Sequence, residues 1–362
     1  MELNRGGVRV PRIVIGIFIL TACGARQDAT PAPSRSPAKG EPGDLVYISN
    51  EDSRNLTVID ARGDSVIATI GVGMRPRGVK VSPDGKRVYV ALSGSPKCPP
   101  TMPDEECEKL KTDRSQDGIA VVDAISRKLV AVFPAGSDPE TFDVSADGRR
   151  LFVSNEDAGT ATIVDLISGR TIATAKVGRE PEGVTLSPDG KTFWVTGETD
   201  HDITASDAAS GEAIARIATQ GKRPRAIGFL PDGSKAYVSN EASGTVSVIA
   251  PSSRHVRRVI VLPDGARPMG IAVAPDGGRV YVSTGRGGTV IVIDPNSDSV
   301  IAAVRVGRRP WGVGLTRDGG KLYTANGPGN DVTVIDTKTM KVVRTLAAGS
   351  SPWGIALGRR PR

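Results

Sequence analysis

The sequence predicts an all-β fold, a seven-bladed β-propeller of four-stranded blades, and three observations carry that prediction. A motif of about 42 residues recurs seven times along the chain. Each copy holds short runs of alternating apolar and polar residues separated by turn-forming residues, the pattern of antiparallel strands. The first copy opens on its second strand, and a lone first strand is left over at the C-terminus.

In chain order, Arg5, Arg9 and Arg12 precede an apolar run from Ile13 to Leu20, followed by Thr21-Ala22-Cys23. A basic head, a short apolar core and small residues make a secretory signal over residues 1–22, too short to span a bilayer. Leu20-Thr21-Ala22-Cys23 resembles a bacterial lipobox, which implies that Cys23 is acylated and becomes the mature N-terminus, a lipid anchor. Gly24, where some inner-membrane lipoproteins carry Asp, leans the expectation towards the outer membrane. The chain is thus expected to be exported and held on the periplasmic side or the cell surface through its N-terminal lipid only. Residues 23–43 are rich in Ala, Pro, Ser and charge and read as a flexible tether.

The repeats occupy residues 44–358 as a single domain. An aromatic opens the second strand of each copy, at Tyr47, Tyr89, Phe152, Trp194, Tyr237, Tyr281 and Tyr323. Pro76, Pro139, Pro181, Pro224, Pro268 and Pro310 each stand 13 residues before the next aromatic, and Pro352 remains at the end. Asp60, Asp165, Asp207, Ala250, Asp294 and Asp336 follow the aromatic by 13 residues, whereas in the copy at Tyr89 the interval to Asp123 is 34. Four strands in some 40 to 45 residues are the unit of a propeller blade. An open solenoid would need atypical capping repeats. Here Trp353-Gly354-Ile355-Ala356-Leu357 instead supplies the strand missing from the N-terminal blade, which closes the ring and removes both edges. Residues 359–362 form a basic tail.

First strands lie nearest the axis, and Gly78, Gly183, Gly270, Gly312 and Gly354 suit that crowded position. Turns such as Pro188-Asp189-Gly190 and Pro275-Asp276-Gly277 are punctuation: Pro presets one torsion and Gly accepts positive φ. Tyr237-Val238-Ser239-Asn240, Val246-Ser247-Val248-Ile249, Arg267-Pro268-Met269-Gly270 and Pro275-Asp276-Gly277 resemble the bacterial YVTN-repeat (Tyr-Val-Thr-Asn) propeller family over Asp44 to about Gly358. That resemblance implies the fold and leaves function open, because the family's members play varied roles.

Loops entering first strands and loops joining second to third strands share one face of a propeller. Arg75, Arg77, Glu180, Glu182, Arg223, Arg225, Arg267, Arg309, Trp311 and Trp353 are therefore expected around the channel mouth. Glu51, Glu156, Glu198, Asp200, His201, Glu241 and Arg286 should stand further out. Arg75, Arg223, Arg267 and Arg309 hold equivalent positions, and convergent guanidiniums suit a carboxylate or phosphate. Trp311 and Trp353 could add a stacking wall. The same arginines could instead pair with Glu180, Glu182 and the outer acids and merely brace the blades.

The long copy carries an insert at 93–117, which connectivity places over the same face. Cys98 and Cys107 lie in it with prolines between, and in an exported protein the simplest expectation is a disulfide that stiffens a recognition loop. Cys-x8-Cys supplies too few ligands for a metal site, and none is expected.

No haem-attachment, phosphate-loop or nucleophile-elbow motif occurs, so no cofactor is expected. The two histidines are His201 and His255, and His201, near Glu198 and Asp200, is the one general-base candidate. A net charge of +7 with interspersed signs reads as a solvated surface and disfavours nucleic acid. Two functional readings remain. The first is a monomeric, lipid-tethered binding or scaffold propeller for an envelope protein, peptide or glycan. The second is a propeller enzyme, lactonase-like or quinoprotein-associated, with its site at the channel mouth.

Overall fold

The structure, a computed structural model, describes residues 43–97, 102–107 and 109–361. The expected signal, the Cys23 anchor and most of the tether lie outside the described residues, and so does Cys98 with the expected Cys98–Cys107 bond. Among the described residues no helix is long and apolar enough to cross a membrane.

Seven four-stranded antiparallel sheets follow one another along the chain. Six are contiguous: the seventh blade, for example, runs through Pro310–Leu315, Lys321–Asn326, Asp331–Asp336 and Lys341–Ala347. The first blade is composite. Its innermost strand is the C-terminal Pro352–Arg359, which pairs antiparallel with Asp44–Asn50 in the register Leu45 to Gly358 and Ile48 to Ile355. This is the ring closure that the out-of-phase ends predict.

The repeated residues are framework, each with a physical task. Tyr237 and Tyr323 are fully buried, and their hydroxyls donate to Asp298 Oδ1 at 2.7 Å and Asp64 Oδ1 at 2.5 Å in the next blade. Lys235 and Lys321 pair with the same two aspartates at 2.8 and 2.7 Å, so each aromatic strand is clamped to its neighbour. The asparagine ending several second strands is buried and donates to the third strand: Asn50 to Thr57, Asn155 to Thr162, Asn240 to Ser247 and Asn326 to Thr333 at 2.7 to 2.9 Å. The preceding hydroxyl residue reaches the other way. Ser154, Ser239 and Ser283 donate to the carbonyls of Glu182, Met269 and Trp311 on the next blade's approach to the axis, at 2.5 to 2.7 Å. These bonds give the buried donors partners within the frame, while the side-chain oxygens of Asn50, Asn155 and Asn240 are left without one.

Blades meet most closely at the axis. A Cβ on Gly270 would stand 2.7 Å from the Trp311 carbonyl oxygen, and one on Gly312 would stand 2.6 Å from that of Trp353. Only glycine permits this approach of backbone to backbone.

Candidate functional site

The seven inter-blade prolines place the residue after each of them around the channel mouth. In ring order these are Arg77, Glu140, Glu182, Arg225, Met269, Trp311 and Trp353. Most residues before these prolines hold positive φ, including Arg75 at 39°, Glu180 at 49°, Arg223 at 56° and Arg309 at 51°. Such backbone is costly for a residue with a side chain and clusters at functional surfaces. Above the mouth lies a cavity of about 760 Å³, lined by Arg75, Glu180, Glu182, Arg223, Arg309, Trp311 and Trp353 among others.

One arc of this funnel is charged and internally paired. Arg75 bonds Glu51 at 3.0 Å and donates to the Ser95 carbonyl in the insert at 2.6 Å. Arg77 pairs with Glu140, with Glu156 at 3.2 Å and with Glu51 at 3.6 Å. Arg225 pairs with Glu182, with Glu198 at 2.5 Å and with Glu241 at 2.8 Å. Arg223 Nε donates to Glu198 Oε1 at 2.5 Å. The insert contributes Lys97, which bridges Glu51 at 3.0 Å and Asp52 at 2.9 Å, and Arg114, which pairs with Asp157.

Burial and like charge distort the titration of this arc. Glu156 is pushed up to about 7, first by burial and then by Glu182. Glu198 is pushed up to about 8 by the same two causes. Burial also opposes ionisation of Glu182, but Arg225 and Arg77 outweigh it and hold that carboxylate below its usual range. Burial would strip the Arg225 proton, yet Glu182, Glu198 and Glu241 hold it more firmly than in water.

The other arc is aromatic. Trp311 and Trp353 stand with ring centroids 5.9 Å apart at 36°. Arg309 lies over Trp311 with its guanidinium carbon 4.7 Å from the ring centroid. Among the described residues, Arg309 is the one cation of the funnel lining with no carboxylate partner. Burial, followed by Arg286, lowers its proton affinity, and the attraction of Glu241 and Glu51 does not make up for them.

The structure therefore brings together Arg75, Glu180, Glu182, Arg223, Arg309, Trp311 and Trp353, and leaves two candidates outside the lining. Arg267 is exposed and donates to the Ala242 carbonyl at 2.6 Å. His201 holds its ring Nδ1 2.8 Å from the Glu198 carbonyl oxygen and sits behind the lining. Arg75 and Arg223 take the bracing role that their surroundings allowed. Of the central partners, Arg77 and Arg225 were expected at the mouth and Glu156 and Glu198 further out, whereas Glu140 was not named. One sequence signal marks them: acids directly follow the second strand at Asn50-Glu51, Asn155-Glu156, Gly197-Glu198 and Asn240-Glu241, whereas Thr284-Gly285 and Asn326-Gly327 lack them.

Carboxylate oxygens of Glu140, Glu156 and Glu182 lie within 4.8 Å of one another, close enough to share a cation. The guanidiniums of Arg77 and Arg225 already contact this trio, so it is neutralised from within.

Comparison with known proteins agrees with the architecture. Residues 101–191 match a family model described as YNCE-like beta-propeller, and residues 184–352 match one described as Lactonase, 7-bladed beta-propeller. Antigen Lp49 of Leptospira interrogans is 29% identical over 125 residues, covering 34% of this chain and 26% of that relative. The chain thus matches about a quarter of that curated relative's length. Hydrazine synthase of Kuenenia stuttgartiensis superposes with a TM-score of 0.69 at 23% identity, covering 81% of this chain and 92% of that one. A functionally unknown protein from Desulfotomaculum acetoxidans superposes with a TM-score of 0.71 at 16% identity, covering 87% and 99%. Likeness at this level speaks for fold alone. The chain is a seven-bladed β-propeller, similar over successive parts of its length to the YNCE-like and lactonase-type propeller models.

Proposed function

We propose that the protein is a binding module that takes an anionic group, such as a carboxylate of an envelope peptide, protein or glycan, in the funnel at the mouth of its channel. The observation that carries this reading is Arg309: a guanidinium held over Trp311, in the wall of a cavity, with no carboxylate among the described residues in ion-pair contact with it. An incoming carboxylate would gain a charge-assisted bond there and could lay its body against Trp353. The YVTN-type repeats and the lipobox-like Leu20-Thr21-Ala22-Cys23 support a lipoprotein setting, with the propeller tethered by residues 23–43 on the periplasmic side or the cell surface.

Both tryptophans of the aromatic arc should report binding. Titration of small carboxylates against intrinsic fluorescence is expected to give a saturable change in the wild type, weakened about tenfold or more in Arg309→Ala. An identical response in wild type and variant would sink the reading.

The match of residues 184–352 to lactonase-type propellers favours a second reading, hydrolysis at the same mouth. Glu156 or Glu198, which keep their protons near neutrality, would then act as the general acid. Turnover of a lactone panel that is lost in Glu198→Gln and kept in Arg309→Ala would replace binding with catalysis.

A further inference from the structure

Below the funnel, the innermost strands enclose a second cavity of about 200 Å³. The two cavities meet at Glu182, Arg225, Trp311 and Trp353, which line both. The polar side chains that line the lower one have partners within the protein, Glu182 and Arg225 in each other. Thr141 Oγ1 donates to the Glu182 carbonyl at 2.5 Å, Thr185 Oγ1 donates to the Ile227 carbonyl at 2.9 Å, and Lys80 pairs with Asp143 at 3.0 Å. Val79, Phe142, Ile227, Ile271, Val313 and Ile355 supply most of the remaining surface. A water molecule needs two or more polar partners to be held in a buried space, and these walls offer few. An apolar occupant is favoured instead.

We propose that the lower cavity receives the hydrocarbon tail of the ligand whose carboxylate meets Arg309, so that the ligand is a medium-chain acyl carboxylate. This rests on the reading of Arg309 given above. The head group is selected by charge, since Arg309 is the described cation of the funnel lining that has no carboxylate partner, and the tail is selected by the apolar lining. The route between them follows the aromatic arc, because Trp311 carries the Arg309 guanidinium on its ring and also lines the lower cavity. At about 30 Å³ for a water-sized group, 200 Å³ accommodates a tail of about six or seven carbons.

The test is a series of linear carboxylates from acetate to dodecanoate, each below its aggregation limit, titrated by calorimetry and tryptophan fluorescence against the whole domain, with the matched alcohols alongside. Affinity is expected to tighten about threefold to fourfold per methylene and to level off near eight carbons, with each alcohol at least about tenfold weaker than its acid. In Ile271→Phe, its folding checked by thermal melting, the plateau should move to shorter chains while acetate binds as before. Equal affinity for acetate and octanoate, both dependent on Arg309, would overturn the tail and leave the anion site standing. Tightening without a plateau, or alcohols that bind as well as acids, would also overturn it, since either marks a general apolar surface. Absence of any carboxylate binding would remove both readings together.

Discussion

Around the channel mouth the same backbone position, one residue after the inter-blade proline, is filled in two opposite ways. Arg77, Glu140, Glu182 and Arg225 make a charged arc, and Met269, Trp311 and Trp353 make an apolar one. On the charged arc every guanidinium has carboxylates and the excess of acid is carried as protons on Glu156 and Glu198. On the apolar arc Arg309 rests on an indole with no acid beside it. The difference separates two uses of arginine. A buried, saturated guanidinium braces neighbouring blades, and an unpaired one in a cavity wall is available to a ligand.

The strongest way to break this comparison is to remove a brace. Arg225 contacts Glu182, Glu198 and Glu241, and Arg225→Ala would leave buried carboxylates without their counter-ion. A loss of about 3–5 kcal/mol is expected in chemical denaturation. A loss below about 1 kcal/mol would show that the arc is solvated and does not brace the ring.

A smaller effect follows from the protons. Glu156 and Glu198 have native values raised to about 7 and about 8 from an ordinary 4.5, so between pH 4.5 and 8 the folded state binds more protons than the unfolded chain. Stability must then fall as pH rises through that window. Glu51, Asp138 and Glu182 are shifted down, and their contribution is lost as pH drops below their ordinary values. The melting temperature should therefore peak near pH 5 and decline towards pH 8. Glu198→Gln should flatten that decline; a wild-type melting temperature that rises from pH 5 to 8 would contradict the assignment.

Below the side chains the two arcs share one frame. Gly270→Ala and Gly312→Ala each place a methyl group under 3 Å from a backbone carbonyl of the next blade, which cannot yield as a side chain can. Each is expected to cost about 1–3 kcal/mol in thermal or urea unfolding. A neutral result at either position would mean that adjacent blades slide more easily than this packing allows.

How much was legible in the sequence divides along the same line. The frame was, because each blade needs the same aromatic, hydroxyl, asparagine and proline, and repetition made those tasks countable. Ring closure by Trp353 to Leu357 followed from the phase of the ends. The mouth was legible only in part. Connectivity placed Arg309 and Trp311 at the mouth, but pairing between Arg77 and Glu156 spans 79 residues and crosses a blade interface, so no local pattern announces it. Arg267 shares the pre-proline position with Arg309 yet turns outward to Ala242, and it lacks the positive φ recorded at Arg75, Arg223 and Arg309. His201 drew notice through its nearby acids, whereas what fixes it is a backbone carbonyl.

The smallest expected change in stability is also the most informative about function. Arg309→Ala removes a half-buried cation whose contact is the face of Trp311, worth about 0.5–1 kcal/mol at a partly exposed site. Its removal relieves repulsion from Arg286 and Arg225 and gives up attraction from Glu241 and Glu51, so the net loss should stay under about 1 kcal/mol. Arg225→Ala changes the same residue type on the opposite arc and should behave in the reverse manner, losing far more stability than Arg309→Ala while its folded state still binds carboxylate. A pair of variants in which Arg309→Ala abolishes carboxylate binding at unchanged melting temperature would assign recognition to the aromatic arc. If Arg309→Ala destabilises the domain as much as Arg225→Ala does, both arcs are braces and the asymmetry of the mouth has no bearing on binding.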